Sequence, residues 1–553
     1  MEHLKKILQE KQTFSLIVPQ FENNDNSITL IETHLSFVCL VDKFAIKLKK
    51  PIDLGPPFPD QTDVNVRKKL CELELVKNME WNTNGMYLRV LPLCKSKEGI
   101  HRFFSSSDDL ESEIDETIDW AILMKRFPQN RRLDKFLDDS RGSVEPNYFK
   151  EFGQKLARLQ MKSKAQKENI DNYMESMKKL IFVNLDQLKE TSQGIVNNES
   201  LLVIESWFEK QYEMLKKVLE KRLNSGFVRQ LHADLHTSNL FLDENSTIQA
   251  YDCLEFNQEL SRIDTASDVA FLFMDLYRLN RKELAWIFLN SWLEETGDYQ
   301  AIELLSFFTV HRAMVRCKTS CLSLKSNIPN YCDELTLELI KKYISLSMEI
   351  VQNSKFAVLA MCGLSASGKS FLSEKLFPRL FGFRIRSDLE RKRVYNEKYS
   401  VTEEALTGRK RVKLYDEVMT TETYGRLFSA VKSAFIGKQL VILDAAFLDR
   451  EKRNKLTSVI RDLTGDMLAT NILLFLHCTA KDKNLKSRIL ERSTSKKDIS
   501  DADLKVLEAQ IFEDFSHGET FFEIITDEHE DDEEYVSTVI NRIDQYFSSQ
   551  SKL

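Results

Sequence analysis

Gly363-Leu364-Ser365-Ala366-Ser367-Gly368-Lys369-Ser370 has the G-x-x-x-x-G-K-S spacing of a phosphate-binding loop, and its flanks are those such a loop needs. Phe356–Cys362 before it is an apolar run of buried-strand length, and Phe371-Leu372-Ser373-Glu374-Lys375-Leu376 after it has helical composition. Gly363 and Gly368 let the backbone wrap a polyphosphate, with the N–H groups through Ser365, Ala366 and Ser367 turned inward. Lys369 is placed to reach the β/γ-phosphates and Ser370 to hold Mg²⁺, so the stretch predicts an ATP site with a metal.

Downstream, strand-like runs at Phe383–Arg386, Leu440–Leu443, Ile472–His477 and Phe522–Ile525 alternate with helical segments, the pattern of a parallel sheet. In such sheets substrates bind at the C-terminal strand edge, which draws attention to Ile385-Arg386-Ser387-Asp388-Leu389-Glu390-Arg391. Asp444 ends the third strand, where a carboxylate can act on Mg²⁺ through water or on the acceptor. Arg488 and Arg492 share one helix face, either as a lid over transferring phosphate or as solvated helix charges.

The first part carries a second set. His232-Ala233-Asp234-Leu235-His236-Thr237-Ser238-Asn239 has the H-x-D-x-x-x-x-N spacing of a kinase catalytic loop, and Tyr251-Asp252-Cys253 follows a short hairpin pattern. In that chemistry Asp234 accepts the proton of the attacking hydroxyl, while Asn239 and Asp252 hold Mg²⁺. Phe44-Ala45-Ile46-Lys47 supplies a strand lysine for the ATP phosphates, to pair with a glutamate on the following helix. Glu74 is preferred over Glu72, and Lys49, on the same strand face as Lys47, competes with it. Thr33-His34-Leu35-Ser36 occupies the turn where protein kinases have a glycine-rich loop.

These stretches, with Ala45–Gly55, Met124–Gln129 and Ile263–Leu276, resemble the aminoglycoside phosphotransferase-type kinases. More specifically, they resemble a bacterial group in which that domain is fused to a phosphate-loop kinase-like domain. The resemblance implies a multidomain α/β chain: a bilobal protein-kinase-like domain followed by a P-loop NTPase domain with a parallel sheet. Ala233 stands where that family usually has glycine, and Pro56-Pro57-Phe58-Pro59 departs further from its pattern. Asp268 reads as a helix residue bracing the catalytic loop. The Asp388 region resembles the acceptor motif of polynucleotide 5′-kinases and zeta-toxin-like kinases, which implies Asp388 as general base and Arg391 as its anion partner. A helix N-cap with surface basic residues is the plainer alternative. Ser500-Asp501-Ala502-Asp503 also matches the fused family.

Composition bounds the rest. The chain has 553 residues, 42% hydrophobic, 29% charged, with formal net charge -7. That describes a globular protein of at least two domains and argues against a general nucleic-acid coat protein. No apolar run reaches membrane-span length, and the N-terminus lacks signal-peptide features, which predicts a cytoplasmic protein. Nine cysteines without C-x-x-C pairs read as reduced thiols.

The polar Gln352-Asn353-Ser354-Lys355 places the domain boundary near 353, giving 1–352 and 353–553. Asp527–Glu534 reads as acidic residues at a helix N-terminus. The expected acceptors are a hydroxyl-bearing small molecule for the first domain, and a nucleic-acid 5′-OH or phosphorylated metabolite for the second. The basic stretch Arg384, Arg386, Arg391, Lys392, Arg393, Arg409, Lys410, Arg411 and Lys413 suits either of the latter. A regulatory ATPase or nucleotide-sensing switch is the rival from another class.

Overall fold

A computed structural model describes residues 1–18, 27–55, 58–104, 114–139, 144–167, 169–325, 333–353, 356–399, 416–465, 471–495, 504–527 and 532–550. The chain forms two compact units, Met1–Asn280 with Phe307–Met348, and Arg281–Ser306 with Glu349–Leu553.

The first unit opens on an antiparallel six-stranded sheet: β1 Thr29–Glu32, β2 Ser36–Val41, β3 Phe44–Lys49, β4 Tyr87–Ser96, β5 His101–Phe103 and β6 Ile114–Lys125, in the order β1-β2-β3-β6-β4-β5. Alternation along β3 sorts its faces. Ile46 and Leu48 enter a core with Phe37, Leu91, Phe103, Leu123 and the N-terminal Leu4, Ile7 and Phe14. Ala45 faces a second cluster with Cys71, Met86, Ile122, Met124 and Phe241, and Lys47 and Lys49 share its parity. The Val64–Trp81 helix, N-capped by Asp63, follows β3.

Further on, β7 Val228–Gln230 pairs with β10 Arg262–Asp264, and β8 Leu240–Leu242 forms a hairpin with β9 Ile248–Ala250. These two short ladders frame the loop that carries Asp234. The Thr265–Arg278 helix follows β10 directly.

The second unit holds a parallel sheet of β11 Ala357–Cys362, β12 Gly382–Arg386, β13 Leu440–Asp444, β14 Leu473–Thr479 and β15 Phe521–Ile525, ordered β12-β13-β11-β14-β15. Every residue of the central β11 is buried, as expected of a strand covered on both faces. The phosphate loop leaves its C-terminal end. Asp532, Glu533 and Glu534 of the acidic run lie in the first turn of the Asp532–Gln550 helix, where Glu533 pairs with Arg379 and Lys375; residues 528–531 lie outside the described ones.

A single cut at 353 does not show that residues 281–306 group with this second unit. Their attachment is local and specific. On the Lys282–Thr296 helix, Asn290 Oδ1 accepts from the Arg384 backbone N–H at 2.6 Å at the edge of the sheet. Gly437 passes so close that a Cβ there would lie 2.3 Å from Ile302 O. Among the described residues no helix is long and apolar enough to cross a membrane, and the described cysteines are buried free thiols. Cys332 lies outside them.

Candidate active sites

In the first unit Lys47 Nζ lies 2.8 Å from Glu74 Oε1 and 2.5 Å from Asp252 Oδ1. Lys49 Nζ also reaches Glu74, at 2.5 Å, and Glu255 at 2.7 Å. Both lysines therefore share one carboxylate, and only Lys47 joins it to Asp252. Glu72 instead lies 4.0 Å from Lys68 on the helix surface. Burial alone would raise the Glu74 carboxyl, but the two ammonium groups outweigh it and hold it at about 2.

Asp234 and Asn239 meet on the loop: Asn239 Nδ2 donates to the Asp234 carbonyl at 3.0 Å and to its Oδ2 at 2.8 Å. That commits the amide nitrogen and leaves Asn239 Oδ1 as the side-chain atom with lone pairs to offer. Burial would raise the Asp234 carboxyl, yet His236 and Arg316 beside it bring it well below the usual range. His232 Nε2 lies 3.1 Å from Tyr251 O and its Nδ1 accepts from Asp234 N at 3.4 Å, tying the loop to the segment after β9 that carries Asp252.

Ala233 has φ +64, the left-handed region that suits the glycine it replaces. Its N–H donates to Asp268 Oδ1 at 2.9 Å, and Gln160 Nε2 donates to Asp268 Oδ2, so Asp268 braces the loop from the Thr265–Arg278 helix.

Sequence reasoning missed three further supports. Asp275, on that same helix, accepts from Thr237 N at 2.9 Å and from its hydroxyl at 2.5 Å. Asn78 accepts from Cys253 N at 2.9 Å, and Asn82 donates to Ala250 O at 3.1 Å. The signal was present as Glu74, Asn78 and Asn82 at i, i+4 spacing, a polar stripe on one helix face.

In the second unit the loop wraps Lys369, whose Nζ donates to Gly363 O at 2.9 Å and Leu364 O at 2.6 Å. Gly363 has φ +129 and a Cβ there would sit 2.3 Å from Cys478 O; Gly368 has φ +85 and presses on Thr526. No side chain fits the first position. Ser370 Oγ donates to Asp444 Oδ1 at 3.2 Å, and Ser373 Oγ to Asp444 Oδ2 at 3.1 Å. Arg384 Nη1 lies 3.9 Å from Asp444 Oδ2 while its Nη2 donates to Glu294 Oε1 at 3.3 Å. Burial lowers the Lys369 ammonium despite nearby acids that include Asp444 and Asp388.

Ser365, Ala366, Ser367, Gly368, Lys369, Ser370, Asp388, Arg391, Asp444 and Arg488 line one cleft of about 770 Å³. Arg488 spans its rim, donating to Ala366 O at 3.2 Å and Thr526 O at 2.9 Å. Arg391 donates to Thr420 Oγ1 at 3.1 Å. Gln510, which the sequence did not single out, accepts from the loop amide of Ser365 at 2.7 Å. The Arg492 side chain, the 409–413 basic residues and Ser500–Asp503 lie outside the described residues. Of the basic stretch within them, Arg384 is buried against Glu294, and Arg393 pairs with Glu390.

Residues 358–513 match the family model described as AAA domain. Over 473 residues the chain is 24% identical to an uncharacterized protein of Mycobacterium tuberculosis, covering 85% of this chain and 87% of that one. Among solved structures it is similar to Plasmodium vivax ethanolamine kinase, at 13% identity and TM-score 0.35 over 63% of this chain and 88% of that chain. It is also similar to a gluconokinase from Sinorhizobium meliloti, at 16% identity and TM-score 0.23 over 36% of this chain and 94% of that one. The chain is thus a mixed α/β protein whose second unit carries a phosphate loop on a parallel sheet.

Proposed function

We propose that the chain is an ATP- and Mg²⁺-dependent phosphotransferase with two sites, each moving a γ-phosphoryl group to a hydroxyl acceptor. The observation that carries this reading is the convergence in each unit of a phosphate-binding lysine, hard-oxygen metal donors and an acceptor-side carboxylate. In the first, Lys47 paired to Glu74 binds nucleotide phosphate, Asn239 Oδ1 and the Asp252 carboxylate are the metal donors, and Asp234 orients the hydroxyl and takes its proton. In the second, Lys369 and the loop amides bind phosphate, Ser370 Oγ and Asp444 are the metal donors, and Asp388 is the base with Arg391 gripping the acceptor. Hydroxyl, amide and carboxylate oxygens are the donors that suit Mg²⁺, which when bound neutralises phosphate charge. Arg488 is the lid cation.

For the second site a small phosphorylated metabolite is favoured over a polynucleotide. Tracking a nucleic-acid backbone needs a row of exposed cations, and Arg384 and Arg393 are turned inward onto carboxylates. The first site takes a small hydroxyl compound.

Calorimetry tests the pair of sites. Wild type should bind two nucleotide equivalents, and Lys369→Ala and Asp252→Ala should bind one each. A single equivalent abolished by either change would overturn the reading. Incubation with γ-labelled ATP and an alcohol panel then separates transfer from the rival switch, which hydrolyses ATP without an acceptor.

A further inference from the structure

On the reading that Asp234 is the base of the first site, we infer that its acceptor carries an oxyanion substituent, held by Arg316 beside His236. Arg316 comes from the Ile302–Lys325 helix, and its Nη1 lies 3.4 Å from His236 Nε2. That same ring nitrogen lies 3.5 Å from Asp234 Oδ2, so one imidazole separates the guanidinium from the reacting carboxylate. Asp234 Oδ2 is taken by Asn239, which leaves Oδ1 toward the acceptor hydroxyl.

The guanidinium is underused by the protein. It hydrogen-bonds Tyr343 and contacts His236, but among the described residues no carboxylate lies within ion-pair distance, and its Nε is buried without a hydrogen-bond partner. The acids around it are committed elsewhere: Asp234 accepts from Asn239 and acts on Arg316 only from beyond ion-pair distance, Asp268 holds Ala233 N and Gln160, and Asp275 holds Thr237 and Arg278. One turn earlier on the helix, Arg312 is tied to Ser267 O at 3.3 Å and packs on Phe271.

Asp234 and Asp275 hold the guanidinium charged from a distance, but a half-buried cation with no carboxylate in contact is costly unless something supplies one. A phosphate or carboxylate on the acceptor does so in forked geometry, while a cationic acceptor at this place would be repelled.

The test uses the full chain carrying Lys369→Ala, saturated with Mg-ADP and titrated with inorganic phosphate by calorimetry. Phosphate binding should weaken about tenfold or more in Arg316→Gln, remain partly in Arg316→Lys, and tighten in Asp234→Asn, which removes a repelling charge. ADP affinity unchanged across the series shows that the fold is intact. Phosphate binding that is absent, or equal with and without Arg316, overturns the inference. Failure of the Lys369→Ala parent to bind ADP instead sinks the kinase reading of the first unit, which is a separate result.

Discussion

Asp268 and Asp275, both on the Thr265–Arg278 helix, hold opposite ends of the loop that carries Asp234: one accepts from Ala233 N, the other from Thr237 N, each at 2.9 Å. The loop is thereby clamped to a rigid element on both sides of its reactive carboxylate. Asp268→Ala or Asp275→Ala strands buried donors at a cost of about 1–3 kcal/mol each. We expect transfer by the first site to drop at least about tenfold while ATP affinity barely moves, because Lys47 and Glu74 are untouched. Steady-state kinetics with a labelled acceptor checks the split.

Ala233 at φ +64 holds a conformation that disfavours a Cβ by roughly 1 kcal/mol. Ala233→Gly relieves this but frees the unfolded chain, so the net change should be within about 1 kcal/mol with activity kept. Ala233→Val, β-branched and buried, should destabilise by more and lose activity. Urea unfolding of both variants measures the difference.

Lys47 and Lys49 share Glu74 but should fail differently. Lys47→Met removes the cation that reaches Asp252, so nucleotide binding by the first unit should vanish in the Lys369→Ala background. Lys49→Met leaves buried Glu255 without its cation, and about 3–5 kcal/mol of stability should go. Calorimetry and thermal unfolding, run side by side, tell the two apart.

His311 is buried with neither ring nitrogen hydrogen-bonded among the described residues, and burial pushes its imidazole down to about 3. The native state keeps it neutral where the unfolded chain, near 6.5, takes up a proton. Its stability contribution is therefore complete above about pH 6.5 and shrinks as pH falls toward 3, by about 2 kcal/mol between pH 7 and 5. His311→Leu should flatten that slope, and denaturant midpoints across pH will show it.

Glu294 holds Arg384, which in turn stands beside Asp444 and donates to Ser370 O at 3.3 Å. Glu294→Ala leaves a buried guanidinium short of its partner, so the second unit should lose about 1–3 kcal/mol. Nucleotide binding at the Lys369 site should also weaken. A variant indistinguishable from wild type in thermal unfolding and in ADP titration would show that the 281–306 segment is mere packing there.

Much was legible where chemistry and chain order coincide. The phosphate loop, the five parallel strands, the H-x-D loop and Lys47 lie in short stretches whose spacing is dictated by backbone geometry, and the strand bounds moved by only a residue or two. The preference for Glu74 over Glu72 found its reason only in the fold, which sets Glu74 against Lys47 and leaves Glu72 near Lys68 on the helix surface. What needed the folded chain were partners brought from far along the sequence: Asn78 under Cys253, Asp275 under Thr237, Gln510 on Ser365, and the Lys282–Thr296 helix against β12. A motif is local because its own backbone makes the cradle. The groups that brace a cradle or leave a guanidinium unpaired beside it are set by packing between distant elements, and no spacing rule records that.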